Sequence, residues 1–270
     1  MANPPGGLRN EPFLDRKEDA LVPILARLAL VGLALGWPAL APARARAQET
    51  STQETPGLRA TQVTLVIVEK DGKGKKFRAT VMARKDDLLT VLTAAHCVSA
   101  EDANGPIRLL LDGEVIGGTV DSVIRNPAYK SNPTREIPGA DNALARFRFK
   151  PSTKTEIEAF ESLKPANGLT SRPYPGPAGQ TVAVRMIDQH GVEHAVKAGN
   201  YSNPRLLEWG LAYKPFPGDS GSGVFVMSRG GEGQEPRPIL IGIIVSNDAK
   251  GGMASLISKE MRWIADELVR

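Results

Sequence analysis

At 270 residues and 41% apolar side chains, the chain is long enough for one large domain or two small ones around a real core, which excludes wholesale disorder. Its formal charge of +4 excludes a strongly basic nucleic-acid surface, because six basic against four acidic residues in positions 1–47 already supply half of it. The single cysteine, Cys97, excludes an intrachain disulfide; the expectation for it is a small buried hydrophobe rather than a reactive thiol.

Positions 1–47 read as a signal peptide. Arg16, Lys17 and Arg27 precede the apolar run LALVGLALGW (28–37), and PALAPARARAQ follows with Ala45 and Ala47 spaced for cleavage after Ala47. The uncharged stretch from Leu28 to Ala43 contains Pro38 and Pro42 and falls short of the roughly 20 residues a span needs, so no stable membrane anchor is expected. A secreted or periplasmic location follows from this expectation. The polar stretch at 48–61 reads as a flexible arm.

Strand-like segments come next: QVTLVIVE (62–69), KFRATVMAR (76–84), LLTVLTAAH (88–96), IRLLLDG (107–113), VIGGTVDSVIR (115–125) and ALARFRF (143–149). They are β-branched or alternating and are broken by Gly, Asn, Asp and Pro, with no helix-length piece between them, which predicts antiparallel sheet. Glycines in EKDGKGKK (69–76) make its lysines a solvated hairpin turn. Residues 151–178 turn rich in Pro, Ser, Thr and Lys and read as a linker. Strands resume with QTVAVRMI (180–187), HAVKAGNY (194–201), LLEWGLAY (206–213), GSGVFVMS (221–228) and ILIGIIVSN (239–247). Ile257, Met261, Ile264 and Leu268 then recur at helical spacing, predicting a terminal amphipathic helix. The chain divides into an all-β half at 62–150 and another at 179–270 that ends in the helix.

Three segments carry chemistry. TAAHC (93–97) ends an apolar strand in His96; ADNALARF (140–147) places Asp141 just before a strand; PGDSGSGVF (217–225) surrounds Ser220 with small residues. A serine hydroxyl needs a base to take its proton, and an imidazole serves if a carboxylate fixes its tautomer and orientation. His96, Asp141 and Ser220 are therefore the residue types of an acyl-transfer site. His190 and His194 have neither a cysteine nor a recognisable acidic cluster beside them, and no metal or other cofactor is expected.

Together, LTAAHC, DNALARF and GDSGSGVF resemble, in the same order, the signature segments of the trypsin-like (chymotrypsin-fold) serine proteases, and the likeness spans about 62–269. It implies an all-β fold of two six-stranded antiparallel β-barrels with a C-terminal α-helix and a catalytic cleft between the barrels. It further implies a secreted serine endopeptidase, with His96 as base, Asp141 as its orienting carboxylate, Ser220 as nucleophile, and the N–H groups of Gly218 and Ser220 as an oxyanion hole. A protein or peptide substrate would meet Lys214, six residues before Ser220, and the strand segment Val245, Ser246 and Asn247. The unpartnered Cys97 and the serine at 222 resemble the disulfide-poor bacterial branch with its glutamyl-endopeptidase-like enzymes. Whether Asp219 pairs with a processed N-terminus or with an arginine stays open, as do side-chain preference and oligomeric state. A catalytically silent binding module on the same fold is the rival reading.

Overall fold

Alternating side chains build the first half of the molecule. In β6 (Ala143–Phe149), Ala145, Phe147 and Phe149 point into the core while Arg146 and Arg148 point outward, the period-2 pattern of a pleated strand. The other strands of this half are β1 (Gln62–Val68), β2 (Gly74–Lys85), β3 (Leu88–Thr93), β4 (Pro106–Leu111) and β5 (Glu114–Arg125). They pair antiparallel in the order β1-β2-β3-β6-β5-β4, and β4 returns to β1 to close a six-stranded barrel. Two-residue turns set the register: Asp112 and Gly113, both with positive φ, join β4 to β5, the geometry that matches the twist of paired strands.

The computed structural model describes residues 55, 57–69, 73–129, 140–166, 180–200, 204–228, 236–248, 251–258 and 260–270. The signal expected at 1–47, most of the arm at 48–61 and the proline-rich part of the linker at 171–179 lie outside these residues.

Inside the stretch read as a linker stands a helix, α1 (Lys154–Ser162). Thr153 caps it: its hydroxyl accepts the Glu156 N–H at 3.1 Å, and the Glu156 carboxylate returns to the Thr153 N–H at 3.3 Å. The sequence T-x-x-E is the signature of such a capping box, within a stretch whose Pro, Ser, Thr and Lys content reads as linker. Phe160, the buried residue of α1, packs its ring 5.9 Å from that of Phe149.

The second half contains β7 (Thr181–Ile187), β8 (Glu193–Gly199), β9 (Leu206–Trp209), β10 (Gly223–Met227), β11 (Pro238–Asp248) and β12 (Gly251–Leu256). They close a second antiparallel barrel in the order β10-β11-β12-β9-β8-β7, with Phe225 of β10 paired to Arg185 of β7. β12 escapes sequence reading because GGMASL has almost no β-branched content. β10 and β11 read as continuous apolar runs for a physical reason: both of their faces are buried. Val224, Val226, Ile241 and Ile244 fill the second barrel, whereas Phe225, Leu240 and Ile243 join the core cluster of the first. Helix α2 (Met261–Val269) adds Ile264 to that same cluster, with Met261, Trp263 and Leu268 packed beside it. Arg146 of β6 also donates to the Glu267 carbonyl of α2 at 2.5 Å. The last helix thus braces the second barrel against the first. No described helix is long and apolar enough to cross a membrane.

Candidate active site

β3 ends at Thr93, and the chain turns through a short 3-10 segment, Ala95–Cys97, that presents His96. The Asp141 carboxylate grips this residue twice. Oδ2 lies 2.7 Å from His96 Nδ1, and Oδ1 accepts the His96 backbone N–H at 3.0 Å. Both the ring and its peptide are therefore fixed by one side chain. Burial disfavours a charged His96 ring, but the hydrogen bond and charge of Asp141, with the Cys97 sulfur alongside, outweigh it and draw the pKa above the ordinary 6.5.

Asp141 owes its own placement to Asn142, a residue the sequence reading did not single out. Asn142 is fully buried; its side-chain oxygen accepts Asn126 Nδ2 at 3.1 Å, and its Nδ2 donates to Ser255 Oγ of β12 at 3.2 Å. The loop that carries the carboxylate is thereby pinned to both barrels.

Ser220 sits on the turn before β10. Its carbonyl accepts the N–H of Arg78 in β2 at 2.9 Å, and the Cys97 thiol lies 3.9 Å from the same oxygen, so the serine turn is fastened directly to the residue after His96. Cys97 is buried and free, serving as a packing residue at this junction. Among the described residues, no hydrogen bond joins the Ser220 hydroxyl to His96.

The glycines of this turn have definite tasks. Gly221 has φ of +92°, and a Cβ there would lie 1.8 Å from the Arg78 carbonyl oxygen, so only glycine permits β2 and the turn to approach so closely. Gly218 has φ of +103°. Asp219 N–H donates to the Phe216 carbonyl, Gly221 N–H to Ile244 and Ser222 N–H to Asp219, whereas the N–H groups of Gly218 and Ser220 have no protein acceptor among the described residues. Two unengaged donors thus flank Asp219 beside the serine. Ser222 is buried, its hydroxyl donating to the Ile187 carbonyl at 3.0 Å.

A pocket of about 210 Å³ opens beside Ser220, lined by Pro215, Phe216, Pro217, Ile244, Val245 and Ser246. Val245 and Ser246, two of the residues expected to meet substrate, are among its lining; Asn247 pairs with Gly252 in the β11–β12 ladder. Lys214 was expected to meet substrate beside them. Its side chain is exposed and does not line the pocket. The loop runs through Pro215 and Pro217 instead, and Pro215 lies so close to Gly252 of β12 that a Cβ there would meet its Cδ at 2.7 Å. The other two histidines are structural neighbours of Asp188: His194 Nε2 lies 2.8 Å from its Oδ2, and the His190 N–H donates to its Oδ1. Among the described residues no group of three or more His, Cys, Asp and Glu could hold a metal ion.

Two closed six-stranded antiparallel barrels followed by a terminal helix constitute the trypsin-like fold. Solved structures share it at low identity. The chain is similar to the structure of GrC, with a TM-score of 0.54 and 16% identity over 80% of this chain and 97% of that one. It is similar also to HL collagenase, with a TM-score of 0.54 and 15% identity over 79% and 95%. Neuropsin, a serine protease expressed in the limbic system of mouse brain, gives 0.51 and 16% over 80% and 98%. No family model matches the sequence, and no curated protein matches it.

Proposed function

We propose that the protein is a secreted serine endopeptidase in which His96, Asp141 and Ser220 act as a catalytic triad. The observation that carries this reading is the double hold of Asp141 on His96 beside the serine turn, since a structural histidine has no need of a carboxylate that fixes both its ring and its peptide. In the reaction, Ser220 Oγ attacks the carbonyl carbon of the scissile peptide while its proton passes to His96 Nε2. The oxygen that gains the electron pair is met by the N–H groups of Gly218 and Ser220. Collapse breaks the C–N bond, His96 gives its proton to the departing amine, and water then enters by the same route to hydrolyse the acyl-enzyme.

Because the neutral imidazole is the base, the rate falls as pH drops through the His96 pKa. The Asp141 pairing puts that fall above pH 6.5. The pocket walls favour an apolar side chain next to the scissile bond: Pro215, Phe216, Ile244 and Val245 line it, and among the described residues no charged one does. An acidic preference, as the name of the glutamyl-endopeptidase-like enzymes implies for them, has no cation among the described lining residues to support it.

The test is fluorophosphonate labelling of the exported chain, with Ser220→Ala as control. Labelling that disappears in the variant is the expected result. A folded wild-type chain that takes no label would favour the silent binding module instead. Intact mass of the same sample checks the export signal, which is expected to leave Gln48 as the first residue; a secreted chain retaining residues 1–47 would count against it.

A further inference from the structure

Asp219 precedes Ser220, and its carboxylate is completely buried. A buried carboxylate is costly unless hydrogen bonds and charge compensate it. Here three donors do so. The Gln189 N–H reaches Oδ1 at 2.7 Å, while the Phe216 N–H and the Tyr213 hydroxyl reach Oδ2 at 2.6 and 2.7 Å. Arg78, reaching over from the first barrel, is a largely buried guanidinium; burial lowers its pKa, and the charge of Asp219 is the foremost influence raising it. All of these groups lie inside the chain.

The Tyr213 hydroxyl is aimed with unusual care. Its ring stacks on His194 with centroids 3.9 Å apart and 17° between planes, and His194 is held in turn by Asp188. Trp209 lies nearly parallel to it at 6.5 Å, and its indole N–H donates to the Tyr213 carbonyl at 2.8 Å. Burial and the neighbouring Asp219 raise the phenol far above its ordinary range, so it stays a donor.

Thr55, upstream of the barrels, is engaged elsewhere. The Thr55 N–H and hydroxyl donate to Glu193 Oε2 and Oε1 of β8 at 2.8 and 2.6 Å, and Arg185 of β7 closes the same cluster. No chain end has to reach Asp219 to satisfy it.

We propose that Tyr213 is a positioning residue for the Ser220 site: with the Gln189 and Phe216 N–H groups it holds Asp219 so that the turn bearing Gly218 and Ser220 stands assembled in the chain uncleaved ahead of Thr55. This rests on the protease reading above. The hydrogen bonds on Asp219 tie down the backbone at Phe216, and the Asp219 N–H and carbonyl close onto Phe216 and Ser222, so Gly218 is enclosed within a hydrogen-bonded turn.

The experiment compares fluorophosphonate inactivation of three samples, each checked by intact mass: the chain retaining residues upstream of Thr55, the same chain trimmed to begin at Thr55, and the untrimmed Tyr213→Phe variant. Untrimmed and trimmed wild type are expected to react within twofold of each other. Tyr213→Phe, which keeps the stacked ring, is expected to lower the maximal inactivation rate by roughly 10- to 100-fold, the worth of one charge-assisted hydrogen bond, at unchanged half-saturating probe concentration. An untrimmed chain that is inert and becomes reactive on trimming overturns this inference and leaves the protease reading standing. Folded Tyr213→Phe reacting within twofold of wild type likewise overturns it. Wild type inert in both forms overturns the protease reading and this inference with it. The two wild-type samples decide the question of cleavage even if the variant does not fold.

Discussion

The two barrels contribute to the site by different physical means. The first supplies the proposed base and its partner as side chains that touch directly, His96 and Asp141, each beside the end of a strand of one barrel and 2.7 Å from the other. The second supplies a backbone shape: a turn whose useful groups are N–H donors and whose geometry is imposed by a buried carboxylate and its donors at 189, 213 and 216. A side-chain pair can be recognised from two residue types in order. A backbone shape depends on what surrounds it, and most of those surroundings are remote in sequence.

Removing the charge from the first barrel's pair should give the largest effect. Asp141→Asn replaces one of two acceptors by a donor and is expected to lower kcat by about 10⁴-fold, as for a histidine left in the wrong tautomer. The sign of the accompanying pH effect is fixed: losing the carboxylate lowers the His96 pKa, so the acid limb of kcat/KM against pH moves to lower pH. An unmoved limb would mean that Asp141 only supports the backbone.

Phe225→Ala asks whether the barrels are energetically separate. Phe225 belongs to a strand of the second barrel yet is buried in the core cluster of the first, so the variant is expected to lose about 3–5 kcal/mol from a single unfolding transition in urea. Two resolved transitions, with only the second shifted, would show that each barrel unfolds alone. Asn142→Ala should act more weakly. It leaves the buried side-chain groups of Asn126 and Ser255 without this partner, at a cost of about 1–3 kcal/mol, and it loosens the Asp141 loop. Equal loss of stability with unchanged kcat would separate the joint between the barrels from the positioning of the base.

Eleven of the twelve strands among the described residues were legible because apolar alternation and turn residues are local signals. β12 was not, since Gly251, Gly252, Ala254 and Ser255 have little strand preference of their own and are held in place by β9 and β11 on either side. Helix α1 was hidden by composition, although its capping box at Thr153 and Glu156 was present to be read. At the site, the three chemical segments stood out in order, whereas Tyr213 looked like the end of a strand that in fact stops at Trp209.

What the sequence determined by itself is the set of residue types and their order: a histidine after an apolar strand, an aspartate before another, and a serine among glycines, within two runs of β segments. That follows because strand periodicity and nucleophile chemistry are both properties of short stretches. Only the tertiary structure decided which groups would surround Asp219, that Lys214 would face solvent rather than the pocket, and that Gly221 would be pressed against the Arg78 carbonyl. Each of these depends on the approach of elements distant in the chain, and a close approach leaves no mark on the local pattern of either partner.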